Sequence, residues 1–460
     1  MDTFKTICVS LVLILFMGGG CAPLPDVSKI TDHAQTERPP KIMTAKGMLS
    51  DEKSRELIKR LQGAVYQTDL VQRHNAVMEA VDGSPLIGGN KVTLLTDGQS
   101  TYAAIIKAIQ CATETINLET YKIENDEIGR AFADLLVRKQ QEGVQVNLIY
   151  DGIGSLPTPT SFFDRMRETG VQVVEVNPLS DLQVGAVNPL HADHRKLLVV
   201  DGKVVITGGI NISAVYTSTP FQSGRPKKPS EVPWRDTDVQ IEGPAAAAFQ
   251  QLFLDMWQKQ KGPPLQRECY FPKLESKGHA LVRAIANNPG ESNRITYISY
   301  VSALMFAEHA IHLTNAYFIP DDKILDALSQ AARRGVDVRI IVPSITDSSL
   351  AYYAMRYNYA ELLQAGVKLY ERKKALLHAK TAVIDGVWST VGSTNMDFLS
   401  LSSNYELNAV VLSPKFGADM EAMFAKDVAE SDEITWEKWQ QRSILERTKE
   451  LFAHMMSHVL

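Results

Sequence analysis

Two stretches of this chain place the same reactive side chains at the same spacing. The first, HRKLLVVDGKVVITGGIN, holds His194, Lys196, Asp201, Gly208 and Asn211. The second, HAKTAVIDGVWSTVGSTN, holds His378, Lys380, Asp385, Gly392 and Asn395. His to Asn spans 17 residues in both (211 − 194 and 395 − 378). An imidazole acts as nucleophile or general acid near neutral pH. Lysine and asparagine donate hydrogen bonds to anionic oxygens. One such unit is half a phosphate site, and two facing units complete it.

These side chains need strands to aim them. After each histidine and lysine comes an apolar run, Leu197 to Val200 or Thr381 to Ile384, and then Asp-Gly. That order predicts a buried strand running into a tight turn. Residues two apart on a strand share a face, so His194 and Lys196 point the same way, as do His378 and Lys380. A second strand, 204–206 or 388–391, then leads to Gly-x-x-Asn.

These motifs, together with NKVTLLTDG, INLETYKIENDEIG, GVQVNLIYDGIGS, TGGINIS and WRDTDVQIEGPAA, resemble the phospholipase D superfamily and within it bacterial cardiolipin synthases. The resemblance covers nearly all of residues 91–430. It implies a duplicated, layered α/β sandwich whose two halves are related by a pseudo-twofold, with the active site on their seam. It implies that one histidine attacks phosphorus and the other protonates the leaving alcohol, with a phosphohistidine between the two steps. By family habit His194 is the nucleophile and His378 the acid. Lys196, Lys380, Asn211 and Asn395 are expected to hold the non-bridging oxygens, so that neither metal nor cofactor is required. Asp236 in WRD and Glu406 in NYE match the acidic residues that orient the histidines, while Asp201 and Asp385 are expected to fix the turns. The implied partner is a phospholipid at a membrane surface, with no nucleic acid and no obligate protein partner.

Three reactions stay open on this reading: phosphatidyl transfer between phospholipids, phospholipid hydrolysis, and cleavage of a nucleic acid. The last would call for a net-positive groove with stacking aromatics, and the formal net charge of −5 counts against it. Hydrophobic content of 45% and charged content of 22% are those of an ordinary globular enzyme.

The amino terminus reads as a lipoprotein leader. Lys5 precedes an apolar run from Ile7 to Met17, followed by Gly18-Gly19-Gly20-Cys21. The run is too short to span a bilayer and suits a signal-peptide core. Cys21 is then the lipidated first residue, in a bacterial cell envelope and facing the periplasm. Cys111 and Cys269 remain, too few for a disulfide framework, and are expected to be lone buried thiols.

The expected organisation is a signal peptide (1–20), a tether (21–50), a helical segment (51–90), two halves (91–265 and 266–430) and a C-terminal amphipathic helix (431–460). Helical periodicity runs from Asp51 to about Met78. Each half alternates strand and helix, with Gly143, Gly170, Gly335 and Gly366 opening strands. The offset between halves is 192 residues at the first of these glycines, 196 at the second and 184 at the histidines, which marks a duplication with unequal loops. The apolar stripe of 436–460 is expected to pack on the body. The loop from Tyr216 to Pro233, with Arg225, Lys227 and Lys228, is an insertion, read as a solvated loop or a basic lip toward lipid phosphates. His191, Asp193 and His194 lack a further partner at metal-ligand spacing, and no metal site is expected.

Overall fold

The computed structural model describes residues 24, 25, 27, 39–178, 191–217, 232–265, 270–291 and 294–457. The expected leader, Cys21, Cys269 and the basic residues Arg225, Lys227 and Lys228 lie outside the described residues.

Helices α1 (Asp51–Gln62) and α2 (Leu70–Val81) precede strand β1 (Leu86–Leu95). The first half continues through α3 (Gly98–Gln110), β2 (Thr115–Thr120), α4 (Glu127–Gln141), β3 (Gln145–Asp151), α5 (Thr160–Glu168) and β4 (Gln172–Val176). The first motif supplies β5 (Lys196–Val200) and β6 (Val204–Gly208), followed by β7 (Asp238–Glu242) and α6 (Ala246–Lys259). The second half opens with β8 (Ala280–Asn287), α7 (Ile295–Phe306), β9 (Ala310–Asn315), α8 (Asp322–Arg333) and β10 (Asp337–Pro343). It continues with α9 (Ser349–Tyr357), α10 (Tyr359–Ala365) and β11 (Lys368–Arg372). The second motif supplies β12 (Lys380–Ile384) and β13 (Trp388–Gly392), followed by α11 (Phe398–Ser402), β14 (Glu406–Leu412) and α12 (Pro414–Ala429). Strand β15 (Ser431–Ile434) and helices α13 (Trp436–Gln440) and α14 (Ile444–Met455) come last.

The two halves repeat one sheet. In the first the order is β4-β3-β2-β5-β6-β7-β1, with β2, β3 and β4 parallel and the remaining pairs antiparallel. In the second it is β15-β11-β10-β9-β12-β13-β14-β8, again with the three strands β9, β10 and β11 parallel. Antiparallel pairing of β1 with β8 joins the two. Strands β5 and β12 are buried on both faces, which is why Leu197–Val200 and Ala382–Ile384 run apolar without alternating with polar residues. Leu197 and Val199 of β5 meet Val383 of β12 and Leu407 of β14 in one apolar layer between the halves. Leu198 and Val200 face the first half's own core, and Ala382 and Ile384 face the second's.

Four expectations need correction. The helix predicted over 51–78 is two helices, interrupted where Gly63 caps α1 and Asp69 begins α2. The break lets buried Thr68 donate its hydroxyl to Asp385 at 2.8 Å. Leu70, Val71, Val77 and Met78 of α2 are fully buried, packed with α7. Cys111 is exposed rather than buried, because it caps the C-terminus of α3 at the surface. The tail is two helices, since Ser443 and Glu446 form a capping box that starts α14 anew. Its stripe packs on the body only in α13, where Trp439 is buried; α14 buries Glu450 and Ala453 and turns Ile444, Leu445, Leu451, Phe452 and Met455 outward.

Candidate active site

Both histidines stand just ahead of their motif strands, so the strand start fixes their backbone. His194 N–H bonds the Tyr405 carbonyl at 2.9 Å and His378 N–H bonds the Arg235 carbonyl at 2.8 Å. Each histidine is therefore tied to the other half of the molecule. The side chains repeat that exchange. His194 Nδ1 meets Glu406 at 3.1 and 3.2 Å, and His378 Nδ1 meets Asp236 Oδ2 at 2.6 Å. The carboxylates occupy both Nδ1 atoms, which leaves both Nε2 atoms for a ligand. The two rings lie 6.5 Å apart between centroids.

The Gly-x-x-Asn turns make room for the carboxylates. Gly208 and Gly392 pair with Asp238 and Asn408 in the sheet register, so closely that a β-carbon on either glycine would overlap its partner. Gly209, next in the first turn, leaves space for Asp236. Ser393 holds the matching place in the second turn and donates its hydroxyl to Glu406.

The lysines lie beneath the histidines. Lys196 Nζ donates to the His194 carbonyl at 2.5 Å, and Lys380 Nζ to the His378 carbonyl. Lys196 also stands 5.0 Å over the Tyr121 ring. Burial, relieved in part by Glu406, pushes the Lys196 ammonium down to about 7. Burial pushes Lys380 down to about 8 against the pull of Asp236. His194 is lowered by burial and by Lys196. His378 is lowered to about 4 by burial and by Lys380. Burial raises the Glu406 carboxyl, but His194, Lys196 and the Ser393 hydroxyl outweigh it and hold the group below its ordinary range. Burial disfavours the charged form of both lysines and both histidines, and a bound anionic ligand favours it.

Asn211 donates to the Tyr216 hydroxyl at 3.2 Å and accepts from Lys122 N–H at 3.2 Å. Asn395 bonds Ser400 Oγ at 3.4 Å, while its Oδ1 is buried without a hydrogen-bond partner among the described residues. Asp201 and Asp385 stand apart from this cluster. Each adopts a left-handed conformation, φ 50° in both, and accepts three backbone N–H groups at the start of a neighbouring strand. His191 lies beside the cluster without joining it, and its carbonyl accepts from Asn177. No group of three metal-ligating side chains occurs among the described residues.

An aromatic wall was not read from the sequence. Tyr121 lies 5.0 Å from His194, and Trp234, Tyr216 and Tyr317 lie 4.9, 6.3 and 6.5 Å from His378. Trp234, beside Asp236 in WRD, was the one available signal. A cleft of about 290 Å³ opens over His194, lined by Tyr121, Tyr317, Asn395 and Ser348 among others. A larger cavity of about 1000 Å³, lined by Lys46, Arg60 and Lys273, does not touch this cluster.

Residues 105–221 and 300–428 match the family described as "Cardiolipin synthase, PLD-like domain". A cardiolipin synthase of Alkalihalophilus pseudofirmus is 33% identical over 380 residues, covering 82% of this chain and 74% of the relative. One from a Geobacillus species is 30% identical over 429 residues, covering 92% and 84%. One from Listeria innocua is 34% identical over 381 residues, covering 82% and 77%. The fold is that of a phosphatidylserine synthase from Haemophilus influenzae, with a TM-score of 0.61 at 14% identity over 80% of this chain and 95% of the other. The chain belongs to the cardiolipin synthase family of phospholipase D-like proteins, as a double-motif enzyme with both motifs intact.

Proposed function

We propose that the protein transfers a phosphatidyl group from phosphatidylglycerol to the hydroxyl of a second phospholipid, by way of a phosphohistidine. The observation that carries this reading is the pair of histidines, each oriented from across the seam, above two buried lysines.

His194 Nε2 attacks phosphorus and the bond from phosphorus to the glycerol oxygen breaks. That oxygen takes its proton from His378, and glycerol leaves. The acceptor hydroxyl then gives its proton to His378 as its oxygen attacks phosphorus, the phosphorus–nitrogen bond breaks, and His194 is restored. Lys196 and Lys380 offset the charge on the non-bridging oxygens, and the second N–H of the Asn395 carboxamide, whose nitrogen otherwise reaches only Ser400 Oγ at 3.4 Å, adds a further donor. Asp236 and Glu406 hold each ring in one tautomer and stabilise its imidazolium. Every charge in this sequence is met by a side chain, and no step calls for a metal.

The protein is also read as a membrane-anchored lipoprotein of the bacterial envelope, lipidated at Cys21. The apolar run from Ile7 to Met17 and the small residues ahead of Cys21 support this. No helix among the described residues is long and apolar enough to cross a membrane. Lipid labelling that is lost in Cys21→Ser checks the assignment.

The reaction is tested with phosphatidylglycerol vesicles. Cardiolipin and free glycerol are the expected products, with phosphatidic acid minor. Dominant phosphatidic acid with no cardiolipin at any lipid composition would replace transfer with hydrolysis, because water would then be reaching the intermediate first.

A further inference from the structure

Helix α14 turns its sides the opposite way from a packed amphipathic helix. Its buried residues are Glu450 and Ala453, and Glu450 pairs with Arg442 at 2.9 Å and Arg356 at 3.5 Å. Its apolar residues face out: Ile444 is 83% exposed, Leu445 66%, Met455 63%, Phe452 59% and Leu451 49%. At about 3.6 residues per turn these five fall in one arc. Exposed Arg447 and Lys449 flank that arc on opposite edges, and Glu446 and Glu450 fall on the side facing the body. An apolar outer face with cationic edges and inward acids is the arrangement of a helix lying in a lipid interface.

Its neighbour adds to that surface. The Tyr357 ring of α9 stacks on His454 at 3.9 Å, and the Tyr353 hydroxyl accepts from Lys449 at 3.3 Å. Tyrosine favours the headgroup level of a bilayer. The start of α9 also belongs to the active-site cleft, since Ser348 and Ala351 line it beside His194. One helix thus connects the outward apolar face to the mouth of the candidate site. A second copy of the chain is a poor occupant, because self-pairing through this face would set its cationic edges against each other.

We propose that the outer face of α14 docks on an anionic phospholipid bilayer, with its apolar arc at the boundary of headgroups and acyl chains and Arg447 and Lys449 at the phosphates. Docked in this way, α9 and the cleft over His194 are held beside the lipid surface. The choice of occupant rests on the phospholipid reading of the site, but docking is measured without turnover, so the two fail separately.

The test uses the full chain with Cys8, Cys21, Cys111 and Cys269 replaced by Ser and an environment-sensitive fluorophore on Leu451→Cys. A matched probe on Arg55→Cys, at the exposed side of α1, is the control. On adding vesicles of equal phosphatidylglycerol and phosphatidylcholine, the probe at 451 should shift to the blue and be quenched by spin-labelled lipid, and the probe at 55 should not. Arg447→Glu with Lys449→Glu should abolish the shift. An unchanged spectrum at 451 overturns the proposal. So does a probe already blue-shifted without vesicles, whether covered by a second copy (concentration-dependent) or by another segment of the chain (concentration-independent). Leu451→Glu with Phe452→Glu should slow turnover on vesicles by about tenfold or more, with little change on detergent-dispersed lipid. Equal loss in both assays also overturns it.

Discussion

His194 takes its carboxylate from Glu406, 212 residues further along the chain and in the opposite half of the molecule, at 3.1 Å. His378 takes Asp236 in return at 2.6 Å. Neither half contains a complete histidine–acid pair, so the duplication yields one site rather than two. The exchange is not symmetric. The glutamate is one methylene longer and is met by the Ser393 hydroxyl, whereas the shorter aspartate sits against Gly209 and accepts the Thr237 N–H at 2.8 Å.

The carboxylates therefore act on the histidine of the other half. Glu406→Gln and Asp236→Asn should each leave the fold intact while permitting the wrong imidazole tautomer. The expected loss is about 10²- to 10⁴-fold in kcat, the range seen when a histidine's orienting acid becomes an amide. Steady-state kinetics on detergent-dispersed phosphatidylglycerol measure it. A loss confined to KM would contradict the orienting role.

Replacing either lysine removes charge stabilisation while leaving both histidine–carboxylate pairs in place. Lys196→Met and Lys380→Met should each cost about 3 kcal/mol or more in transition-state stabilisation, by analogy with a lost oxyanion donor. Turnover should survive excess chelator. Its abolition by chelator with recovery on added zinc or magnesium would refute the two-histidine mechanism.

Burial holds the cationic groups of the site toward their neutral forms, and this gives ligand binding a signed pH dependence. Lys196 and Lys380 are held down at about 7 and about 8, and His378 at about 4. A bound dianion favours the protonated form of each, so binding takes up protons and affinity rises as pH falls. Tungstate affinity should strengthen from pH 9 to pH 6, by up to about tenfold per pH unit for each linked proton. Calorimetry in two buffers of different ionisation enthalpy should show uptake. Proton release would contradict the assignment.

The sequence carried the chemistry further than the packing. Its two motifs announced the histidines, lysines and asparagines because that chemistry requires fixed residue types on short strands. The glycines at 143, 170, 335 and 366 marked strand starts, since each takes a positive φ of 89–95° that favours glycine. The exchange of carboxylates across the seam was not readable, because no local pattern records which half a residue faces. Helix α7 went unread because eleven of its twelve residues are buried, leaving no polar face to give it a period. The tail stripe was legible as a helix, but periodicity does not say whether an apolar face points in or out. Only the ion pairs of Glu450 decide that.

The two motif aspartates should differ in their effect on stability. Asp385 is fully buried and accepts Thr68 Oγ1 and the N–H groups of Glu308, His309 and Ala310. Asp385→Ala orphans these donors and should cost about 3 kcal/mol or more, as the loss of a buried charged acceptor does. Asp201 makes a similar set of bonds from a half-exposed position, where water replaces part of what is lost. Asp201→Ala should cost about half as much. Denaturant unfolding of the two variants compares them directly, and a larger loss at Asp201 would contradict the account.

The central claim is that a histidine of one half becomes covalently bound to phosphorus while a histidine of the other half handles the proton. Turnover of phosphatidylglycerol carrying labelled phosphorus, quenched in alkaline detergent and followed by peptide mapping under alkaline conditions, tests it most directly. The account predicts label on His194, none in His194→Ala, and slower formation of the adduct in His378→Ala because the leaving alcohol lacks its proton donor. Label on His378 would reverse the roles, and turnover with no phosphohistidine at either position would contradict the mechanism.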